Sequence, residues 1–311
     1  MKIVIVGKHN LMNWPETVYH TLRAEHDCRL FITNRLTLGR CLHRKKDRHD
    51  YMAGLLEKQL KAFKPDVVLC ISPFFLSYSI LQACRSAEQA LFTGWVADNF
   101  AADEALKNLR FDALFYSDSG FKNQSDILCS SFYLPLCANQ NIFHPATKPA
   151  YREPFFVGVA NPERIAYLAA CQTPCTVYGK GWDKKALAQH NVRNKKLTLQ
   201  QASEFVRESL CPFNMSFSSN NVNGLNFRVF ELGAAKKLIL TNAASDLERC
   251  YHIGTEALAY ASPEEFSELT AKITRNPSHY ADIAQAGHDR TLREHTYVQR
   301  MQQWLNIIQK L

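Results

Sequence analysis

The chain has 311 residues, enough for two α/β domains of about 150 residues each. With 46% hydrophobic and 21% charged residues it lies in the ordinary globular range, which excludes a disordered chain, and no apolar run reaches the length of a bilayer span. The net charge of +8 admits three kinds of partner: an anionic small molecule, an acidic membrane surface or nucleic acid.

The opening MKIVIVG reads as a strand and not a secretory leader, because its short apolar run stops at Lys8 and His9. Further short apolar runs follow at 29–32, 66–71, 90–96 and 112–116, nearly continuous in character, as expected of a parallel sheet covered on both faces. Helical patterns occupy 15–25, 50–63, 77–87 and 101–109 between them; Tyr51, Leu55, Leu56, Leu60 and Phe63 mark one face of the second. The alternation predicts a doubly wound domain. Its first turn, GKHNLMNW, lacks the Gly-x-Gly-x-x-Gly fingerprint, which argues against a nicotinamide enzyme. Arg40, Arg44, Lys45, Lys46 and Arg48, with His43 and His49, form a basic run read as a solvated loop or a surface for phosphorylated acceptors. No aromatics interleave there, so nucleic acid is not an expected partner.

Three prolines in HPATKPAYREP suggest a boundary near 145–154, dividing the chain into domains 1–150 and 151–294, with a final helix over 295–311. In the second domain, strands are expected at 155–159, 175–179, 237–241 and 257–261, an extended piece over LCPFNMSF, and helices at 162–171 and 198–208. Tyr297, Met301, Trp304, Leu305 and Ile308 make an apolar stripe on the last helix. The ten cysteines are scattered without paired metal-ligand spacing, and read as reduced thiols of a cytoplasmic protein; no metal and no cofactor are expected.

The most informative stretch is NGLNFRVFELGAAKKLILTN, 223–242. A helix is predicted to start at Asn223 or Gly224, both good cap residues, and to be apolar all round except at Arg228 and Glu231. Three residues apart, those two share a face. Either they satisfy each other as an ion pair, or the helix N-terminus faces a diphosphate, with Arg228 adding a cation and Glu231 accepting from a vicinal diol. A nucleotide sugar carries both groups.

At these residues the chain resembles the group 1 glycosyltransferases of the CgeB-like, spore-maturation branch, which have the two-domain GT-B fold. The likeness runs from Asn223 to Asn242, then through Asp246, Leu247, Glu248, Gly254 and the PEEF at 263–266, and ends in GHDRTLREHTYVQRM from Gly287. Weaker echoes occur in FFVGVANPERI, VYGKGW, WVADNF and YLPLCANQNIFHP. The resemblance implies an α/β architecture of two Rossmann-like doubly wound parallel-sheet domains facing a cleft, a last helix crossing back to the first domain, and a donor ribose held by Glu231. The superfamily's two glutamates eight positions apart are Asn223 and Glu231 here, so an amide replaces the first carboxylate. A final helix packed on its own domain is the alternative reading of the apolar stripe.

Ligands in such folds bind beyond the carboxyl ends of the strands. On the donor side this selects Gly158 for close backbone approach, Arg164 as a phosphate clamp, the turn Gly179, Lys180, Gly181 and Trp182, with Trp182 flanking the base, and Asn223, Asn226, Arg228 and Glu231. On the acceptor side it selects Trp95, Asp98 and Asn99, with Asp98 the first choice of catalytic base and His9 the second. A helix-cap role is the alternative for Asp98. His144, His252 and His295 read as structural. The sequence thus predicts a metal-independent glycosyltransferase using a nucleotide-diphosphate sugar and a glycan, lipid-linked or protein acceptor. It is expected in the cytoplasm or peripherally at the inner face of the membrane. The alternative is a non-catalytic nucleotide-sugar-binding or scaffold protein of the same fold.

Overall fold

The computed structural model describes residues 1–35, 47–100, 104–146, 153–216 and 221–311. The basic run from Arg40 to Lys46 and the start of the helix expected over 101–109 lie outside them. Contacts divide the chain into one unit of Met1–Pro135 with Met301–Leu311, and a second of Leu136–Arg300.

In the first unit, β1 (Lys2–Gly7), β2 (Asp27–Ile32), β3 (Val67–Ile71), β4 (Leu91–Val96), β5 (Ala113–Tyr116) and β6 (Ser131–Tyr133) form one sheet in the order 2-1-3-4-5-6. Every pairing is parallel, with Ile3 opposite both Cys28 and Val67. Parallel neighbours need crossovers, which α1 (Trp14–Leu22), α2 (Arg48–Phe63), α3 (Tyr78–Arg85), α4 (Glu104–Lys107) and α5 (Lys122–Leu128) supply. All five residues of β3 are buried, which is why this run carries no polar alternation. The sequence reading did not anticipate β6: three half-buried residues are too short a run to register. Met301–Leu311 belong to this unit, where Trp304 is buried and lies edge-on to Phe115 at 6.4 Å.

In the second unit, β7 (Phe155–Val157), β8 (Thr176–Tyr178) and β9 (Asn191–Arg193) form one parallel set, and β10 (Leu240–Asn242) and β11 (Leu258–Tyr260) another. The extended piece 211–214 joins them, because Pro212 bridges Phe155 on one side and Asn214 bridges Thr241 on the other. The helices are α6 (Pro162–Ala170), α7 (Leu199–Glu208), α8 (Phe227–Ala234), α9 (Leu247–Cys250), α10 (Pro263–Arg275) and α11 (Ala281–Glu294); α12 (Tyr297–Ile308) starts in this unit and from Met301 on is counted with the first.

The division falls at Pro135–Leu136, ahead of the prolines at 145–154 where composition suggested it. Residues 136–144 are held by their own hydrogen bonds in the second unit: Ala138 bridges Thr296, Ser203 Oγ donates to the Ile142 carbonyl at 2.6 Å, and Arg207 meets His144. At the other crossing the unit extends to Arg300, not 294, since Arg300 Nη2 donates to the Leu136 carbonyl.

Candidate functional site

Helix α8 begins at Phe227, three to four residues later than its sequence suggests. Asn226 is the cap: its Oδ1 accepts from the Arg228 amide at 3.0 Å while its Nδ2 donates to Ser216 Oγ at 3.3 Å. Asn223 has a different task, its carbonyl accepting the Asp246 amide at 2.9 Å, which ties this lead-in segment to the start of α9.

Arg228 and Glu231 are an ion pair, Nη1 to Oε2 at 2.7 Å, with side chains 15% and 3% exposed. The Arg228 guanidinium also lies over the Phe143 ring at 5.8 Å. Burial pushes the Glu231 carboxyl above its ordinary value, and Arg228 opposes that only in part. Although the approach is close, Arg228 Nη1 and Glu231 Oε2 lack an aligned hydrogen-bond partner among the described residues.

The first unit has its own concentration of polar groups at the carboxyl ends of β1, β3 and β4. There a cavity of about 340 Å³ is lined by Lys8, His9, Asn34, Ser72 and Asp98, among others. In the strand order 2-1-3 the connections leave β1 in opposite directions, and a crevice opens at such a switch point. A reciprocal pair fixes the turn after β1: the His9 amide donates to Asn34 Oδ1 at 2.8 Å, and Asn34 Nδ2 returns to the His9 carbonyl at 3.0 Å. His9 Nδ1 lies 2.6 Å from Glu16 Oε1, in the first turn of α1. Burial raises the Asp98 carboxyl above its ordinary value. The two predicted bases therefore share one cavity, and Glu16, which sequence reasoning missed, joins them. The legible signal for Glu16 was an acid beside a helix-starting proline directly after the β1 turn.

Residues 155–306 match a family model described as glycosyl transferase-like. No curated protein matches the chain. Among solved structures it is similar to sucrose-phosphate synthase from Thermosynechococcus elongatus, with 9% identity and a TM-score of 0.69 over 100% of this chain and 98% of that one. It is also similar to Anabaena Alr3699/HepE in complex with UDP and glucose, with 10% identity and a TM-score of 0.66 over 100% of both chains. The lipopolysaccharide outer core galactosyltransferase WaaB, in its apo form, gives 17% identity and a TM-score of 0.59 over 100% of both chains. The chain has the GT-B fold, and its residues 155–306 are similar to a glycosyl transferase-like domain.

Within this GT-B fold, several residues selected by sequence turn out to serve the protein interior. Arg164 is buried; its Nε and Nη2 donate to the Met215 carbonyl at 3.0 and 2.6 Å, and its Nη1 donates to the Val159 carbonyl at 2.9 Å. It ties two strand-end loops together, which corrects its reading as a phosphate clamp. Trp182 is also buried, edge-on to Phe156, with Nε1 donating to the Gly158 carbonyl at 3.0 Å. Its ring is spent on the core and does not flank a base. Trp95 is fully buried, its Nε1 donating to the Leu134 carbonyl and its ring edge-on to Trp14, so it faces the core and not an acceptor.

The glycines have a parallel explanation. A Cβ on Gly179 would lie 1.7 Å from the Gly158 carbonyl oxygen, and its φ of +145° is one that side chains disfavour. A Cβ on Gly158 would strike the Phe156 ring at 2.7 Å. The close approach is therefore of backbone to backbone, with no ligand needed to account for it. Lys180 and Gly181 are exposed on the same turn, where the Lys180 carbonyl accepts the Ala160 amide, and Asn99 is exposed after β4. His295 is structural, donating from Nε2 to the Cys250 carbonyl while Nδ1 accepts from Arg300. Among the described residues no three His, Cys, Asp or Glu side chains gather to hold a metal, and no helix is long and apolar enough to cross a membrane.

Proposed function

We propose that the protein transfers a glycosyl group from a nucleotide-diphosphate sugar to a hydroxyl of a glycan, lipid-linked or protein acceptor, as a CgeB-like enzyme working in the cytoplasm or at the inner face of the membrane. The observation that carries this reading is the Arg228–Glu231 ion pair at 2.7 Å, its carboxyl 3% exposed and without an aligned hydrogen bond among the described residues, next to the amino end of α8. There the positive end of the helix dipole and Arg228 suit a diphosphate, and Glu231 suits a ribose diol. HepE, of similar fold, is known with UDP and glucose bound. With Arg228 and the helix amides supplying positive charge, the reading assigns no metal to the leaving group.

On the acceptor side, Asp98 or His9 takes the proton of the attacking hydroxyl. The acceptor oxygen bonds to the anomeric carbon as the carbon–oxygen bond to the diphosphate breaks, its electron pair leaving with the phosphate. The raised proton affinity of Asp98 suits a base. Glu16 on Nδ1 holds the proton there and leaves His9 Nε2 free to accept one.

A thermal-shift panel of nucleotide sugars tests the donor half, since a ligand of the folded state raises its apparent stability. At least one donor is expected to shift the melt. Asp98→Asn is expected to keep that shift and slow transfer by about 10²- to 10⁴-fold. Absence of a shift with every donor rejects the reading, whereas a shift without transfer or sugar release identifies a binding protein.

A further inference from the structure

We propose that the outer face of β7, β8 and β9 in the second unit is an accessory binding site for a neutral saccharide, separate from the donor residues on α8. Strand alternation sends Phe156, Val177 and Val192 into the core and presents Phe155, Thr176, Tyr178, Asn191 and Arg193 on the opposite face. Parallel sheets are normally covered on both faces. Here α7 covers β7, its Phe205 stacked on Phe155 at 5.1 Å and 12°, whereas the outward residues of β9, Asn191 and Arg193, are exposed. The step between the covered and open strands is a cavity of about 460 Å³, within the range of small-molecule sites.

The lining names the class of ligand. Tyr178 and Phe205, both half-buried with ring centroids 4.9 Å apart, give an aromatic wall suited to the C–H face of a sugar ring. Around it, Thr176 Oγ1 donates to Glu153 at 2.8 Å and accepts from Asn191 Nδ2 at 3.4 Å, and Arg193 lies alongside. Donors and acceptors are therefore both on offer, as hydroxyls require. One carboxylate and one guanidinium cancel, although the whole chain carries +8. An anion would need a basic excess, and an acyl chain would need apolar walls. Protection of an edge strand by polar residues accounts for Asn191 and Arg193 but not for a half-open aromatic wall behind them.

Saturation-transfer NMR on the full chain with lactose, maltose and chitobiose at about 10 mM tests this site at the affinity expected of a weak accessory contact. At least one disaccharide is expected to give a signal that excess UDP does not displace, and glucose is expected to equal or exceed glucose 6-phosphate. Tyr178→Ala and the gentler Asn191→Ala are each expected to weaken binding by roughly tenfold, the loss of one good contact. Both are expected to keep any nucleotide-sugar thermal shift. The proposal is overturned by silence from all three disaccharides, by displacement with UDP, by preference for the phosphorylated sugar, or by undiminished binding in both variants. Saccharide binding without any donor shift would uphold this site and reject the donor reading alone.

Discussion

Glu231→Gln separates the ligand role of the buried pair from its structural role, because it preserves shape while removing charge. In the folded protein the carboxyl is 3% exposed and its proton affinity is raised, so burial outweighs the attraction of Arg228 and the charged form is the less favoured one. A neutral amide there should therefore cost less than the roughly 3–5 kcal/mol typical of breaking a buried pair. We expect about 0–2 kcal/mol, a fall in melting temperature of several degrees at most. A carboxylate holding a diol makes charge-assisted bonds of about 1.5–3 kcal/mol, so the donor Kd should rise by roughly 10- to 150-fold. Calorimetric titration of the donor found in the thermal-shift panel, with an unliganded melt of each protein, measures both quantities. An unchanged Kd beside a normal melt would refute the diol assignment, and a collapsed fold would make the pair a structural clamp. The pH dependence has a definite sign. With its folded value raised above 4.5, Glu231 contributes stability that is full below 4.5 and is lost as pH rises through the folded value. The Gln variant lacks that loss, so it should gain on the wild type as pH rises through this window.

Gly179→Ala should destabilise by at least about 3 kcal/mol in urea unfolding, since a Cβ 1.7 Å from the Gly158 carbonyl oxygen forces that turn apart; a change within about 0.5 kcal/mol would show the contact is relieved cheaply. Burial, reinforced by Arg300, depresses His295 from 6.5 to about 3, so its contribution to stability is present above pH 6.5 and is lost as pH falls toward 3. That shift corresponds to roughly 4–5 kcal/mol at most, and His295→Gln should flatten this part of the stability–pH curve measured by denaturant melts; an unchanged slope would place the acid sensitivity elsewhere.

Much of the first unit was legible because its strands are unbroken apolar runs. The structure places β1 to β5 on them within one residue at each end, apart from β2, which starts two residues before its run. β6 and β9 were not legible: Ser131–Tyr133 and Asn191–Arg193 are three residues each, and the latter shows a single buried valine between polar neighbours. The start of α8 was not legible because Asn223 and Gly224 are as good caps as Asn226, and only the folded position of Asn226, whose side chain accepts the Arg228 amide, decides among them.

By itself the sequence determined the succession of two parallel α/β units and the presence of a charged pair inside an apolar helix, since period and composition are local properties that no distant contact alters. Tertiary structure decided where side chains at strand ends point. Trp95, Trp182 and Arg164 sit at positions that suit a ligand, yet each turns inward to a main-chain carbonyl, because a buried donor must be satisfied and the nearest acceptor belonged to another loop. His9 and Glu16 meet only because the turn after β1 folds back on the first turn of α1, a contact fixed by backbone geometry that residue spacing does not encode.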